Sequence, residues 1–202
     1  MKSDSKVFSV LANAGGVLGK SLIAGFAGTV AITISQMIEM QITKRNMSNA
    51  PVIVGGKTLG VEPRKKAVEE KEKANSQEDK ASEKVQQQVA QNKEKFSQIM
   101  HFGYGTGWGV FRGALDVAGL RGPIASAAHF GAIWGTAQVM LPTVAGSKPI
   151  NKWPAGQIAI DVLHHSVYAF AAGAVYDGMR RAESTSSEKK SKFCLSKIFR
   201  CS

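Results

Sequence analysis

The amino-acid sequence predicts an all-α integral membrane protein, a four-helix bundle with a polar arm between its first and second spans. Charge is distributed in blocks: residues 1–42 hold 5 of the 41 charged side chains and residues 101–178 hold 7, whereas residues 43–100 hold 20. The chain has 21 glycines against 6 prolines, and most of the glycines lie in the two apolar blocks. This composition is typical of closely packed membrane helices rather than of linkers.

The first apolar block predicts one membrane span. Residues 1–20 form a short amphipathic pattern that ends at Lys20 and indicates a helix in the membrane interface. Residues 21–42 contain no basic residue and one acid, Glu39, and about 20 such residues cross a hydrocarbon core as a helix. A cleaved signal peptide is the alternative, but the apolar run is long and lacks a small-residue cleavage site. We therefore expect transmembrane helix 1 at 21–42.

The polar region 43–100 is expected to lie outside the membrane. Prolines and glycines between residues 43 and 63 indicate an irregular loop. Residues 64–95 are rich in Lys, Glu, Gln and Ala, with few large apolar side chains. Such a segment has no face to bury, which leaves a solvated helix and a disordered arm as alternatives.

The second apolar block predicts three further spans, at 101–120, 123–144 and 157–179. The first two are separated by a turn so short that the helices must be antiparallel and adjacent. Prolines and glycines separate the last two. A basic tail, 180–202, follows, and four spans place both termini on one side of the membrane.

The formal net charge of +11 predicts lipid rather than nucleic acid as the partner. Basic residues beside apolar blocks face anionic headgroups or follow the positive-inside rule more often than they bind nucleic acid, and no nucleic-acid-binding motif is present. Lysines and arginines are concentrated near the termini and the short turn, so we expect the termini on the cytoplasmic side. The basic, amphipathic tail is predicted to contact anionic lipid.

A glycine at every fourth position is the strongest pattern in the chain. Gly105, Gly109 and Gly113 share one helix face, and Gly131 and Gly135 repeat the spacing on the next span. Such stripes let two helix backbones approach closely. We expect them to pack the bundle internally, with a homo-oligomer interface as the alternative.

Two charged residues fall inside the second predicted span. Arg112 and Asp116 are one helical turn apart and are predicted to pair, which lowers the cost of holding charges at membrane depth. The alternatives are a polar path through the bundle, a purely structural ion pair, or an arginine that reaches towards the headgroups.

All four histidines lie in or beside the predicted spans. Asp161 precedes His164 and His165 by three and four residues, and Tyr168 follows them, so that the acid, one imidazole and the phenol share a helix face. A carboxylate that orients an imidazole supports proton relay or metal ligation, and His129 of the third span is a further candidate. Hydrogen bonds that merely hold helices together are the favoured alternative. No zinc-binding spacing is present.

The segments HFGYGTGWGVFRG (101–113), AAHFGAIWG (127–135) and IDVLHH (160–165) resemble a family of small integral membrane proteins known mainly from bacteria. SNAPVIVGG (48–56) shares the resemblance, whereas the charged arm and the tail do not. The resemblance implies a multi-pass protein of the bacterial inner membrane. It implies no catalytic residue, because no activity is established for the family.

Two functions are compatible with these patterns. The first is a structural or accessory membrane protein that packs through its glycine stripes and binds lipid, a copy of itself or a membrane-protein partner. The alternative is a small proton- or ion-coupled transporter or channel with a path lined by Arg112, Asp116, His129, Asp161, His164, His165 and Tyr168. No nucleophile motif or cofactor signature is present, so we expect neither an enzyme nor a bound metal or cofactor.

Overall fold

The computed structural model describes residues 2–44, 50–59 and 79–198, and these are almost entirely α-helical. A short 3-10 turn, Ile150–Lys152, precedes the last helix, and the described ranges contain no β-strand. The predicted all-α class is therefore confirmed. In chain order the helices are α1 (Lys2–Thr43), α2 (Ala50–Leu59), α3 (Asp79–Val117), α4 (Gly122–Ala145) and α5 (Ala155–Ile198).

Three of these helices are longer than the spans predicted for them. The expected interfacial segment and the first span form one continuous helix, α1, and α5 continues through most of the predicted tail. α3 begins at Asp79, inside the predicted arm. No proline lies at the predicted ends of the spans in α1, α3 and α5, and the arm is rich in good helix formers. Nothing in the local sequence therefore ends these helices at the predicted positions. The remainder of the arm, 60–78, and residues 199–202 lie outside the described residues.

The irregular loop expected over 43–63 is wrong for its middle part, because residues 50–59 form α2. Pro51 lies in the first turn of α2, where a missing N–H is tolerated. α2 packs against α3 and α4, and a Cβ atom at Gly55 would lie 2.6 Å from Cγ of Met100. Lys57 Nζ donates a hydrogen bond to the carbonyl oxygen of Val144 at 2.7 Å. Tertiary contacts thus override the loop signal of the glycines.

The bundle is organised around α1 and α5, which pack along each other. α3 packs mainly on α1, and α4 mainly on α5, so the two helices joined by the short turn contact each other less than they contact their other neighbours. That turn uses Gly119 and Gly122 in the left-handed region, with φ of 87° and 59°. Glycine adopts this conformation without steric penalty, which allows the chain to reverse within a few residues.

The structure combines several buried polar side chains with a broad exposed apolar surface. Half of the buried apolar residues are alanines, and Ile32, Ile133 and Tyr168 belong to a central cluster. Large apolar side chains are exposed on all five helices, for example Phe26 (53%) and Ile124 (69%). Buried polar side chains include Ser21, Thr29, Glu39, Arg112, Ser126, His129, His164 and Asp177. Buried polar groups and a broad exposed apolar surface are both unusual in a water-soluble domain.

By length and composition, two of the described helices could cross a membrane. The segments are Ser9–Thr43 in α1 and Ala155–Lys189 in α5. α3 and α4 do not reach the same hydropathy, since glycine and histidine occur in both helices and charged residues occur in α3.

Candidate binding cavity

The residues of the predicted polar path lie at two levels of the bundle. We call the end that holds Lys20 and Arg121 the terminal half, and the end that holds α2 and Trp153 the loop half. On α5, Asp177 belongs to the terminal half and Asp161 to the loop half. They are 16 residues apart, which is about 24 Å along a helix.

In the terminal half, Arg112 is fully buried and forms an ion pair with α5. Its Nη2 donates to Oδ1 of Asp177 at 2.5 Å, and its guanidinium carbon lies 4.8 Å from the ring centroid of Tyr176. The predicted pairing of Arg112 with Asp116 is wrong. Packing brings an acid of another helix closer than the acid one turn away, a contact that spacing along one helix cannot reveal.

Asp116 instead lies at the end of the bundle, among other basic side chains. Nε of Arg121 is 3.1 Å from its Oδ1, and Nε of Arg180 is 3.7 Å from the same oxygen. The Tyr176 hydroxyl donates to Oδ2 at 3.3 Å. Lys20 of α1 pairs with Glu183 of α5 nearby. Each of these three acids, Asp177, Asp116 and Glu183, therefore lies beside a basic partner.

His129 and Tyr168 lie between the two levels, and both connect helices through backbone carbonyls. His129 is fully buried, and its Nε2 donates to the carbonyl oxygen of Trp108 at 3.0 Å. The Tyr168 hydroxyl donates to the carbonyl oxygen of Gly105 at 2.5 Å. The buried cluster of Ile32, Ile133, Tyr168, Ala169 and Ala172 fills this level. The predicted path is therefore interrupted, and its residues form two separate groups.

A cavity of about 390 Å³ occupies the loop half, and we call it the chamber. Residues from all five helices and from the α4–α5 connection line it. Its chemistry is set by aromatic rings, imidazoles and one carboxylate, and the lining includes no lysine or arginine. These lining residues are Tyr104, Trp108, Trp153, Tyr168, His101, His164, His165 and Asp161.

The Asp161 carboxylate is held by neutral donors from α4. Oδ2 accepts hydrogen bonds from Trp134 Nε1 at 2.9 Å and from Gln138 Nε2 at 3.3 Å. Oδ1 lies 3.6 Å from Nδ1 of His165, too far for a hydrogen bond. One carboxylate oxygen is thus fixed, and the other has no hydrogen-bond partner in the described part of the chain.

Two histidines of the chamber have tautomers set by their partners. Nδ1 of His165 lies 2.8 Å from the carbonyl oxygen of Asp161 and must donate to it, which leaves the Nε2 lone pair of the neutral ring available. Nε2 of His101 lies 3.2 Å from the Thr33 hydroxyl, which itself donates to the Thr29 carbonyl at 2.7 Å. His101 therefore donates through Nε2, and its Nδ1 carries the lone pair. The chamber is rich in acceptors.

His164 is tied to α1. Its Nδ1 lies 2.9 Å from the Ser35 hydroxyl, and its Nε2 lies 3.8 Å from Oε2 of Glu39. His164 and His165 thus serve different neighbours, as expected for adjacent residues about 100° apart on a helix. Among the described residues, no group of three or more His, Cys, Asp or Glu side chains is placed to hold a metal ion.

The glycine stripes differ in their surroundings. Gly105, Gly109 and Gly113 of α3 lie against α1, and a Cβ atom at Gly109 would be 2.7 Å from the backbone of Gly25. At Gly131 and Gly135 of α4 a Cβ atom would meet nothing within 4 Å. The α3 stripe therefore faces another helix, whereas the α4 stripe is exposed.

Several residues that shape the chamber were not among the predicted site residues. Thr33, Ser35 and Glu39 of α1 bind its histidines, and Trp134 and Gln138 of α4 hold its carboxylate. Trp134 and Gln138 are four residues apart on one face of an apolar helix, a spacing that could have marked them as a pair. The α1 residues carry no comparable signal.

Comparisons with protein-family models, with characterised proteins and with solved structures give no match for this chain.

Proposed function

We propose that the protein is a multi-pass membrane protein that binds a small solute in the chamber. The single observation that carries this proposal is the cavity of about 390 Å³, lined by Asp161 and three histidines. Packed protein interiors contain few voids larger than a water molecule, whereas ligand pockets measure roughly 300–1,000 Å³. A bundle that served only as a scaffold would have no need for a void of this size.

The membrane environment is supported by the exposed apolar side chains and by the buried polar ones. Exposed apolar residues occur on α1, α3, α4 and α5, whereas Arg112 and Asp177 are paired inside the bundle. Charges inside membrane proteins are expected to face the bundle interior and to pair. Small residues at the α1–α3 contact, such as Gly25 and Gly109, are typical of membrane helix interfaces. These features favour four membrane spans. Two of them, in α1 and α5, are long and apolar enough to cross a membrane by composition alone.

Orientation is supported by the basic residues of the terminal half. Lys20, Arg121, Arg180 and Arg181 lie at this end of α1, α4 and α5. Under the positive-inside rule this end faces the cytoplasm, and the basic tail contacts anionic lipid. The bacterial inner membrane is the compartment implied by the resemblance of the sequence segments. A homo-oligomer contact through Gly131 and Gly135 stays a prediction.

Of the two functions compatible with the sequence, the transporter or channel is the better supported, but only as a protein that binds a solute and not as an open channel. The scaffold function explains the α1–α3 contact but not the chamber. An open channel is disfavoured, since Tyr168, Ala169 and Ala172 fill the level between the chamber and Arg112. We therefore propose that the solute enters the chamber from the loop half. Its release on the other side of the membrane would require the terminal half to open.

The four-span topology is tested with single cysteines in a cysteine-free background, made by replacing Cys194 and Cys201 with Ser. Leu120→Cys lies in the α3–α4 turn and Ser187→Cys on exposed α5. Both are expected to react with an impermeant maleimide from the same side of the membrane, and Lys148→Cys from the opposite side. If only α1 and α5 cross the membrane, Leu120→Cys will react from the side of Lys148→Cys instead.

The chamber is tested with two buried alanines of α4 in the same background. Ala137 lines the chamber and Ala125 does not, and their exposed fractions are 7% and 0%. A thiol reacts as its thiolate, which requires water. We expect Ala137→Cys in lipid nanodiscs to react with neutral methyl methanethiosulfonate at least tenfold faster than Ala125→Cys. Equal, slow reaction at both positions would contradict a solvated chamber and leave the scaffold function.

A further inference from the structure

We infer that the chamber takes a hydrophobic organic cation, such as a quaternary ammonium or phosphonium ion. This inference deepens the proposed function and rests on it, since it names the class of solute that the chamber accepts. It depends on three observations: the charge of the lining, the aromatic rings, and the lack of an assembled metal site.

The lining has the opposite charge character from the rest of the protein. The chain carries a net charge of +11, yet the chamber residues include Asp161 and no lysine or arginine. Oδ1 of Asp161 has no hydrogen-bond partner among the described residues. In the neutral form of each ring, Nδ1 of His101 and Nε2 of His165 would add acceptors. The Asp161 carboxylate would repel an anion in this space and attract a cation.

Aromatic rings supply the second element of cation recognition. Tyr104 and Trp108 from α3, Tyr168 from α5 and Trp153 from the α4–α5 connection all line the chamber. Tyr104 and Trp108 contact each other edge to face, with centroids 6.1 Å apart. The faces of such rings attract desolvated cations by about 0.5–2 kcal/mol each. Weakly hydrated organic cations benefit most, because they lose little solvation on entering an apolar space.

A metal ion fits the lining less well. In the described ranges no three metal-ligating side chains come together, and Oδ2 of Asp161 is already occupied by Trp134 and Gln138. Hard cations require several oxygen ligands or retained water. The largely apolar lining, with Ile32, Met100 and Met140, offers few such ligands. Size and apolar character therefore favour an organic ion.

The protein carries an internal reporter for this binding. All three of its tryptophans are at the chamber: Trp108 and Trp153 line it, and Trp134 donates to Asp161. We would measure tryptophan fluorescence, excited beyond the absorbance of the ligands, in phosphatidylcholine nanodiscs. The probes are tetraphenylphosphonium and tetraphenylborate, which share a shape and differ in charge. Protein-free nanodiscs correct for partition of each ion into lipid.

The expected result is saturable binding of the phosphonium, at least tenfold tighter than that of the borate. Asp161→Asn keeps the size and acceptor oxygen of the side chain and removes the charge, and it should weaken phosphonium binding at least tenfold. The matched control is Asp116→Asn, the same substitution in the terminal half, which should leave the affinity unchanged. If Asp161→Asn fails to fold, Trp153→Leu is used in its place. We expect this variant to bind the phosphonium several-fold more weakly and the borate as the wild type does.

The inference is overturned if the two ions bind equally, or if Asp161→Asn binds the phosphonium as tightly as the wild type does. Absence of saturable binding by either ion, with Ala137→Cys still reactive, also overturns the cation assignment and leaves the chamber in place. An unreactive Ala137→Cys would instead overturn the proposed function itself. The failures of the two proposals are therefore distinguishable.

Discussion

The terminal half and the loop half of the bundle use the same kinds of residue for different purposes. In the terminal half, buried Arg112 meets Asp177, and Asp116 meets Arg121. In the loop half, Asp161 is held by neutral donors beside a cavity of about 390 Å³. Charge is paired and packed in one half and left accessible in the other. Packing around a buried charge, rather than the charge itself, thus distinguishes the half with ion pairs from the half in which we propose that a solute binds.

This difference has energetic consequences. Removing one member of a fully buried ion pair leaves the other charge unpaired, which costs about 3–5 kcal/mol. A group beside a solvated cavity can exchange a lost partner for water, so its loss is smaller. Substitution of a charged residue should therefore reduce the free energy of unfolding more in the terminal half than in the loop half.

The largest expected effect is that of Arg112→Met. The substitution keeps an unbranched apolar stem but leaves the buried Asp177 without a counter-charge, so we expect a loss of about 3–5 kcal/mol in the free energy of unfolding. Thermal unfolding in detergent, followed by size-exclusion chromatography after heating, measures it. The control is Arg180→Met, because the Arg180 side chain is 31% exposed and should contribute less than about 1 kcal/mol.

A double variant separates the ion pair from the volume of the side chain. Arg112→Met combined with Asp177→Leu removes both charges, and replacing a buried pair by apolar residues is often neutral or stabilising. We expect it to recover most of the stability lost in the single variant. A double variant as unstable as Arg112→Met would show that the pair is not the reason for the loss.

The helical class follows directly from the sequence, because apolar blocks and glycine spacing are local patterns. Pairing between helices is not local. Asp116 is one turn from Arg112, so spacing favoured that pair, yet the packing of α5 supplies Asp177. The same limit explains why α2 was predicted as a loop: its glycines indicate a turn, whereas the helix is held by tertiary contacts such as those of Gly55 with Met100 and of Lys57 with Val144.

The candidate site was predictable in part. The spacing of Asp161, His164 and His165 marked one wall of the chamber, since all three are on α5. The chamber itself is a space between five helices, and no single segment encodes it. Glu39 and Ser35 both reach His164 from a helix that is more than a hundred residues earlier in the chain. Such long-range contacts depend on the register of α1 against α5, which periodicity does not set.

The close approach of α1 and α3 supports the packing beside the terminal half, and Gly109→Ala tests it with a smaller expected effect. A Cβ atom at Gly109 would lie 2.7 Å from the Gly25 backbone, which cannot move aside as a flexible side chain can. The helices must separate, at a cost of about 1–3 kcal/mol. The measurement is again the shift in thermal unfolding.

Gly107→Ala is the matched control, two residues away on the same helix. A Cβ atom there would meet nothing within 4 Å, and alanine is a better helix former than glycine by about 1 kcal/mol. Stability should therefore be unchanged or slightly increased. Equal losses at Gly107 and Gly109 would mean that the helix, rather than its contact with α1, requires glycine. Opposite signs at the two positions would locate the requirement at the helix contact, because propensity acts alike at both sites and only the neighbouring backbone differs.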